Sequence, residues 1–251
     1  MSVEEIRAKR DALRERLAEP ETTALAPSRV ASQFYCEKQL ALARKHGDRE
    51  TPEKARGGRT HRQAAATAEA ITDAEFWAAL DRGDRQVLVE SPLVGEAAEF
   101  PVRGIPDAVV FEHQAPQLLF ERKTTGRPTT LYDSQHIQAW LYGFMLDSLG
   151  FETRELTIAV LSHERVLNAE AERNLQQIVV AHGEDWAPGE YELTASPQAV
   201  LHLRAFSKLD YLEALDWALG YWREKRAPTP TTAAGKCRAC EYSDVCSDAK
   251  S

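Results

Sequence analysis

The chain of 251 residues is long enough to bury a sizeable core, and 43% hydrophobic with 28% charged residues is the balance of a globular protein, not a disordered one. No apolar run reaches the roughly 18 residues that cross a bilayer, and the charged start MSVEEIRAKRDALRERLAEP lacks the apolar segment of a secretory signal, so a cytoplasmic protein without membrane contact is expected. A net charge of −8 excludes a protein that coats nucleic acid by overall charge, while leaving room for a local basic groove.

In chain order, residues 1–24 read as a charged helical arm ended near Pro20, and residues 25–251 as one further domain. Ser28 or Ser32 is placed to cap a helix through FYCEKQLALARKH, with Gly47 as its stop. The polar segment GDRETPEKARGG then reads as a loop. Residues 44–62 carry seven Lys or Arg against three acids. That is ordinarily a solvated helix face, but it is also a candidate groove for a nucleic-acid backbone. Alanine-rich residues 60–80 have helical spacing. The texture then changes: RQVLVESPLVG, EFPVRGIPDAVVFE and QLLFERK are short Val-, Leu- and Phe-rich runs broken by Pro and Gly, the pattern of strands in a small sheet. Residues 133–149 return to helical period, with Ile137, Leu141, Phe144 and Met145 as a core stripe and Gly150 as the stop. ELTIAVLSHE reads as a buried strand, 166–183 as a helix or an irregular connection, and YELTASPQAV carries no clear signal. SKLDYLEALDWALGYWREK is an amphipathic helix ended by Pro228 and Pro230. The expected architecture is α/β, a small mixed central sheet flanked by helices.

Four sets of residues carry chemistry. The first is Pro106-Asp107 followed by Glu121-Arg122-Lys123. A turn over 112–117, centred on Gln114, sets Asp107 opposite Glu121 on adjacent antiparallel strands, and strand alternation puts Glu121 and Lys123 on one face. Two carboxylates on a rigid sheet suit a hard divalent cation, Mg²⁺ or Mn²⁺. By itself the tripeptide means little: with 39 acids and nine lysines one or two such tripeptides arise by chance, and Asp248-Ala249-Lys250 is a second. Its position at the end of an apolar strand, with another acid across a hairpin, is what raises it.

His61 lies at the start of the helix expected over 60–80, after the basic loop; a neutral imidazole there is a candidate metal ligand, although a lone histidine is more often a surface or capping residue. Gln138 and Tyr142 are four apart on one helix face, suited to a phosphate or a base, or equally a polar patch at a core edge. The most specific group is Cys36 with Cys237, Cys240 and Cys246. Three clustered thiols and a distant fourth fit one metal centre clasping the N-terminal helix to the C-terminal tail, either Zn²⁺ or an iron–sulfur cluster; spacing leaves both open.

Taken in order over roughly residues 28–246, these motifs resemble the PD-(D/E)XK nuclease superfamily. They look most like its RecB-like, iron–sulfur branch typified by the CRISPR-associated Cas-four exonucleases. The ordered set is Cys36, the G-x-x-H of Gly58 and His61, Pro106-Asp107, Glu121-x-Lys123, Gln138-x₃-Tyr142, and the cysteine triplet. The resemblance implies a restriction-endonuclease-like core and a [4Fe–4S] cluster on Cys36, Cys237, Cys240 and Cys246. It implies Mn²⁺ or Mg²⁺ on His61, Asp107 and Glu121, with Lys123 as the catalytic lysine and Gln138 and Tyr142 contacting DNA. The implied activity is hydrolysis of DNA phosphodiesters, chiefly of single strands from an end, beside CRISPR integrase proteins in spacer acquisition. The alternatives are a DNA-end or partner-binding module with little turnover, or a nuclease of recombination or phage repair. No Gly-rich loop ending in Gly-Lys-Ser/Thr occurs, so ATP-driven unwinding is expected of a separate helicase.

Overall fold

The computed structural model describes residues 1–51, 71–164 and 168–250. Helix α1 (Val3–Ala18) starts in a capping box, the Ser2 hydroxyl accepting the Glu5 amide and the Glu5 carboxylate accepting the Ser2 amide. Its Val3, Ile6 and Leu13 are buried in the principal core, and Lys9 donates to the Ser148 carbonyl, so the segment expected as an arm is packed onto the body.

Helix α2 (Pro27–His46) begins one residue before Ser28, with proline in its first turn and no side-chain cap; neither Ser28 nor Ser32 takes the capping role, and Ser32 instead donates to the Ser28 carbonyl. Gly47 ends it at φ 83°, as expected. One extended residue, Cys36 (φ −169°, ψ 111°), interrupts the helix and turns its second half. The helix expected over 60–80 is corrected at its end. Ile71 and Thr72 are non-helical, and Thr72 opens a new helix, α3 (Asp73–Arg82), through a capping box with Glu75. The T-D-A-E run is that signal. Residues 60–70, with His61, lie outside the described residues.

Strands β1 (Gln86–Val89), β2 (Leu93–Ala97), β3 (Phe100–Gly104), β4 (Ala108–Glu112) and β5 (Ala115–Thr124) follow, then helix α4 (Asp133–Leu149) and strand β6 (Thr157–His163). Helix α5 (Ala169–His182) settles the segment the sequence left open; Asn168 caps it by accepting the Ala171 amide. β7 (Gly189–Ala195) and β8 (Gln198–Ala205) form an antiparallel pair where no signal was read, and helices α6 (Leu212–Trp222) and α7 (Ala234–Arg238) complete the order.

Six strands form a mixed sheet in the order β1-β4-β5-β6-β8-β7, while β2 and β3 make a separate ribbon. The fold is therefore α/β, a mixed sheet flanked by helices. β5 and β6 are its parallel pair, and α4 is their crossover. Alternation along β5 divides two cores. Leu119 joins Val109, Ile158 and Val160 beneath α4, whereas Leu118 and Phe120 join Val110, Leu161 and Val179 beneath α5. A Cβ on Gly95 would stand 2.5 Å from the Met145 Cβ and 2.7 Å from its Cα, so β2 rests directly on α4. Gly95→Ala is expected to cost about 1–3 kcal/mol by forcing that contact apart. An unfolding curve in urea with an unmoved midpoint would contradict this. No helix among the described residues is long and apolar enough to cross a membrane.

Candidate active site

β4 and β5 meet at a two-residue turn, His113 and Gln114, both at positive φ (51° and 65°). The turn is tighter than the 112–117 expectation, but a register shift between Val110 and Phe111 compensates, so Ala108 pairs with Phe120. One step beyond that pair stand Asp107 and Glu121. Both are buried, at 1% and 2% exposure. Carboxylates are almost never buried to this extent unless paired or engaged.

Glu121 and Lys123 continue the Leu119 side of β5 toward α4. The Lys123 ammonium donates to Glu121 Oε2 at 2.9 Å and to Gln138 Oε1 at 2.9 Å, and Gln138 Nε2 reaches Glu121 Oε2 at 3.4 Å. Tyr142, one turn on from Gln138 along α4, donates to the Ile105 carbonyl at 3.0 Å. Burial pushes its phenol far above the ordinary value and nearby Glu121 and Asp107 push it further, so it stays a neutral donor. The structure thus brings Asp107, Glu121, Lys123, Gln138 and Tyr142 to one patch between the ends of β4 and β5 and the first half of α4.

Two further residues belong to this patch, and the motif reading missed both. The Arg122 backbone N–H donates to Asp107 Oδ2 at 2.6 Å, and its Nη2 donates to Asp107 Oδ1 at 2.9 Å and to Glu90 Oε1 at 3.1 Å. The side chains of Arg122 and Glu90 are 6% and 4% exposed. Burial works against the arginine's charge, but Asp107 and Glu90 outweigh it and hold its pKa above the ordinary value. Among the described residues Arg122 and Lys123 bridge Glu90, Asp107 and Glu121 here. The carboxylate oxygens of Asp107 and Glu121 are hard donors of the kind a divalent cation takes. Among the described residues no three His, Cys, Asp or Glu close on a single-ion position.

The four cysteines line one small cavity with Tyr35, Gln39 and Lys236. The interruption of α2 at Cys36 brings that thiol to the C-terminal segment, where Cys237 lies on α7 and Cys240 and Cys246 follow in turns. Burial raises the Cys240 thiol above its ordinary value. The two chain segments are also held by protein contacts alone. Gln39 Nε2 donates to Glu241 Oε2 at 2.6 Å, Lys38 pairs with Asp248 at 2.9 Å, and fully buried Tyr242 packs on Leu42 and Ala43. Of the basic stretch, Arg49 pairs with Asp244 and Arg44 lies over Tyr221 and Trp222, so these two cations serve packing.

The fold is similar to that of SSO0001, known from a crystal structure, with a TM-score of 0.50 and 10% identity, covering 98% of this chain and 96% of that one. At that identity the likeness concerns the fold alone. No protein-family model matches the chain, and no curated protein matches it in sequence.

Proposed function

We propose that the chain is a divalent-metal-dependent deoxyribonuclease of the PD-(D/E)XK type, acting on DNA ends, chiefly single-stranded. The observation that carries this reading is the pairing of two almost fully buried carboxylates, Asp107 and Glu121, with the Lys123 ammonium held between Glu121 and Gln138. Each acid has a base of its own, Glu121 in Lys123 and Asp107 in Arg122, so two charged pairs are buried side by side at the strand ends, a costly arrangement for a sheet built by packing alone.

Asp107 and Glu121 are the residues that would hold Mn²⁺ or Mg²⁺, which supplies Lewis-acid polarisation of a phosphate and makes water more acidic. Lys123 orients the nucleophile's side of the site and neutralises charge as it develops on the phosphoryl oxygens. Gln138 fixes the ammonium, and Tyr142 offers no acid–base chemistry near neutral pH because its proton is held tightly. Degradation of end-labelled single-stranded DNA with Mn²⁺ tests the reading, the binding-module alternative predicting retention of the DNA without loss of label. The CRISPR integrase or helicase partnership is tested apart from chemistry, by co-sedimentation with each.

The same reading assigns a [4Fe–4S] cluster to Cys36, Cys237, Cys240 and Cys246. Four thiols facing one cavity suit all-thiolate ligation, and a cluster several atoms wide tolerates ligands that a single Zn²⁺ would need drawn closer together. Cys36→Ser is expected to bleach the visible absorbance of anaerobically purified protein and to lower Tm by about 5 °C or more. An unchanged spectrum and Tm would remove Cys36 from the ligand set.

A further inference from the structure

We propose that Arg122, held by Glu90, is a positioning residue for Asp107, so that the middle position of the Glu121-x-Lys123 motif takes part in the site; this rests on the nuclease reading above. Strand alternation sends Arg122 to the opposite face from Glu121 and Lys123, in line with Leu118 and Phe120 beneath α5. An apolar side chain would satisfy that position. Instead a guanidinium is buried there, a costly choice unless its partners need it.

Arg122 engages both oxygens of Asp107, one through its backbone N–H at 2.6 Å and the other through Nη2 at 2.9 Å. This two-point hold fixes the plane of the carboxylate, and with it the direction of the remaining lone pairs. The same Nη2 is shared with Glu90 Oε1 at 3.1 Å, while the buried Nε has no hydrogen-bond partner among the described residues. The guanidinium is therefore set for the gap between the two acids at the expense of one of its own donors. Glu90 is itself held at φ 47°, a left-handed region unfavourable for a residue with a side chain, and its amide donates to the Asp107 carbonyl at 3.1 Å. The end of β1 is thus bound to Asp107 through both its backbone and, by way of Arg122, its side chain.

The arrangement has an electrostatic consequence. Arg122 draws charge from Asp107, and Glu90 takes up part of that pull. Glu90→Gln leaves the full cation on Asp107 and weakens its donor strength. Arg122→Gln removes a competing cation and frees the carboxylate to rotate. The two variants therefore move metal affinity in opposite directions, which damage to the fold does not do.

The test measures Mn²⁺ binding to the full chain without DNA, by the electron paramagnetic resonance signal of free Mn²⁺, together with kcat and KM on single-stranded DNA and Tm. Glu90→Gln is expected to weaken Mn²⁺ binding about fivefold or more, whereas Arg122→Gln binds at least as tightly as wild type. Arg122→Gln is expected to lower kcat about tenfold or more with KM within about threefold, and Arg122→Lys to recover part of that loss. The double variant, in which the summed charge of positions 90, 107 and 122 is that of wild type, keeps Mn²⁺ binding near wild type while kcat stays low. Wild-type kcat in Arg122→Gln overturns the proposal. So does parallel loss of Mn²⁺ binding in both single variants together with a fall in Tm. A wild-type chain that neither binds Mn²⁺ nor cleaves DNA overturns the nuclease reading itself, and this proposal with it.

Discussion

Lys123→Ala is expected to reduce the rate of DNA cleavage by about a thousandfold while leaving the fold intact. The Lys123 side chain is 20% exposed and is held by two oxygens, Glu121 Oε2 and Gln138 Oε1. Its loss opens no core cavity, and Glu121 keeps a donor in Gln138 Nε2. Glu121 stays buried without that cation, so Tm should fall by several degrees, while cleavage falls far more than this destabilisation accounts for, because the ammonium is the group poised to meet charge on a phosphate. Single-turnover cleavage together with thermal unfolding makes the check. A variant with wild-type rates would take Lys123 out of the site, and one that unfolds would mark it as structural.

Glu37→Ala is expected to destabilise the fold by about 3–5 kcal/mol, the cost of breaking one side of a buried ion pair. Glu37 is fully buried in α2. It accepts from Arg226 Nη1 at 2.5 Å and Nη2 at 2.6 Å, from the Thr229 amide at 2.8 Å and from Gln33 Nε2 at 2.6 Å. This set joins α2 to the chain leading into the cysteine segment without any metal. The Arg226 side chain is 25% exposed and stays partly solvated after the change, which favours the lower end of the range.

The same contact sets a pH dependence. Burial pushes the Glu37 carboxyl up, but the bonds from Arg226, Thr229 and Gln33 more than reverse this and hold it below the ordinary value. A carboxylate with a lowered folded pKa contributes stability that is complete above its unfolded pKa of about 4.3 and is lost as pH falls through the folded value. Urea midpoints of wild type should drop on acidification below that range, and Glu37→Gln should show a shallower acid limb from a lower plateau. Parallel curves for the two proteins would contradict the assignment.

Helix α4 was legible residue for residue, because a long, largely apolar segment without proline runs to a clear glycine stop at Gly150. The opposition of Asp107 and Glu121 was legible too, but by a different route. The two-residue turn alone would have shifted the register by one; the irregularity at Val110 and Phe111 restores it. Bulges leave little trace in a sequence. Strands β7 and β8 escaped notice because β7 is partly exposed on both faces and the segment has no sharp alternation. Arg122 and Glu90 were hidden for a related reason. Alternation assigns Arg122 to the face away from the site, and only the length of an arginine brings its guanidinium back to Asp107. The interruption at Cys36, which lets the thiol meet the C-terminal triplet, has neither proline nor glycine to announce it.

The most direct measurement is release of label from end-labelled single-stranded DNA by anaerobically purified protein in Mn²⁺, wild type beside Glu121→Ala. Mn²⁺-dependent loss of label is expected from wild type and none from the variant, with both proteins folded. Equal release by the two, or none by folded wild-type protein, would contradict it.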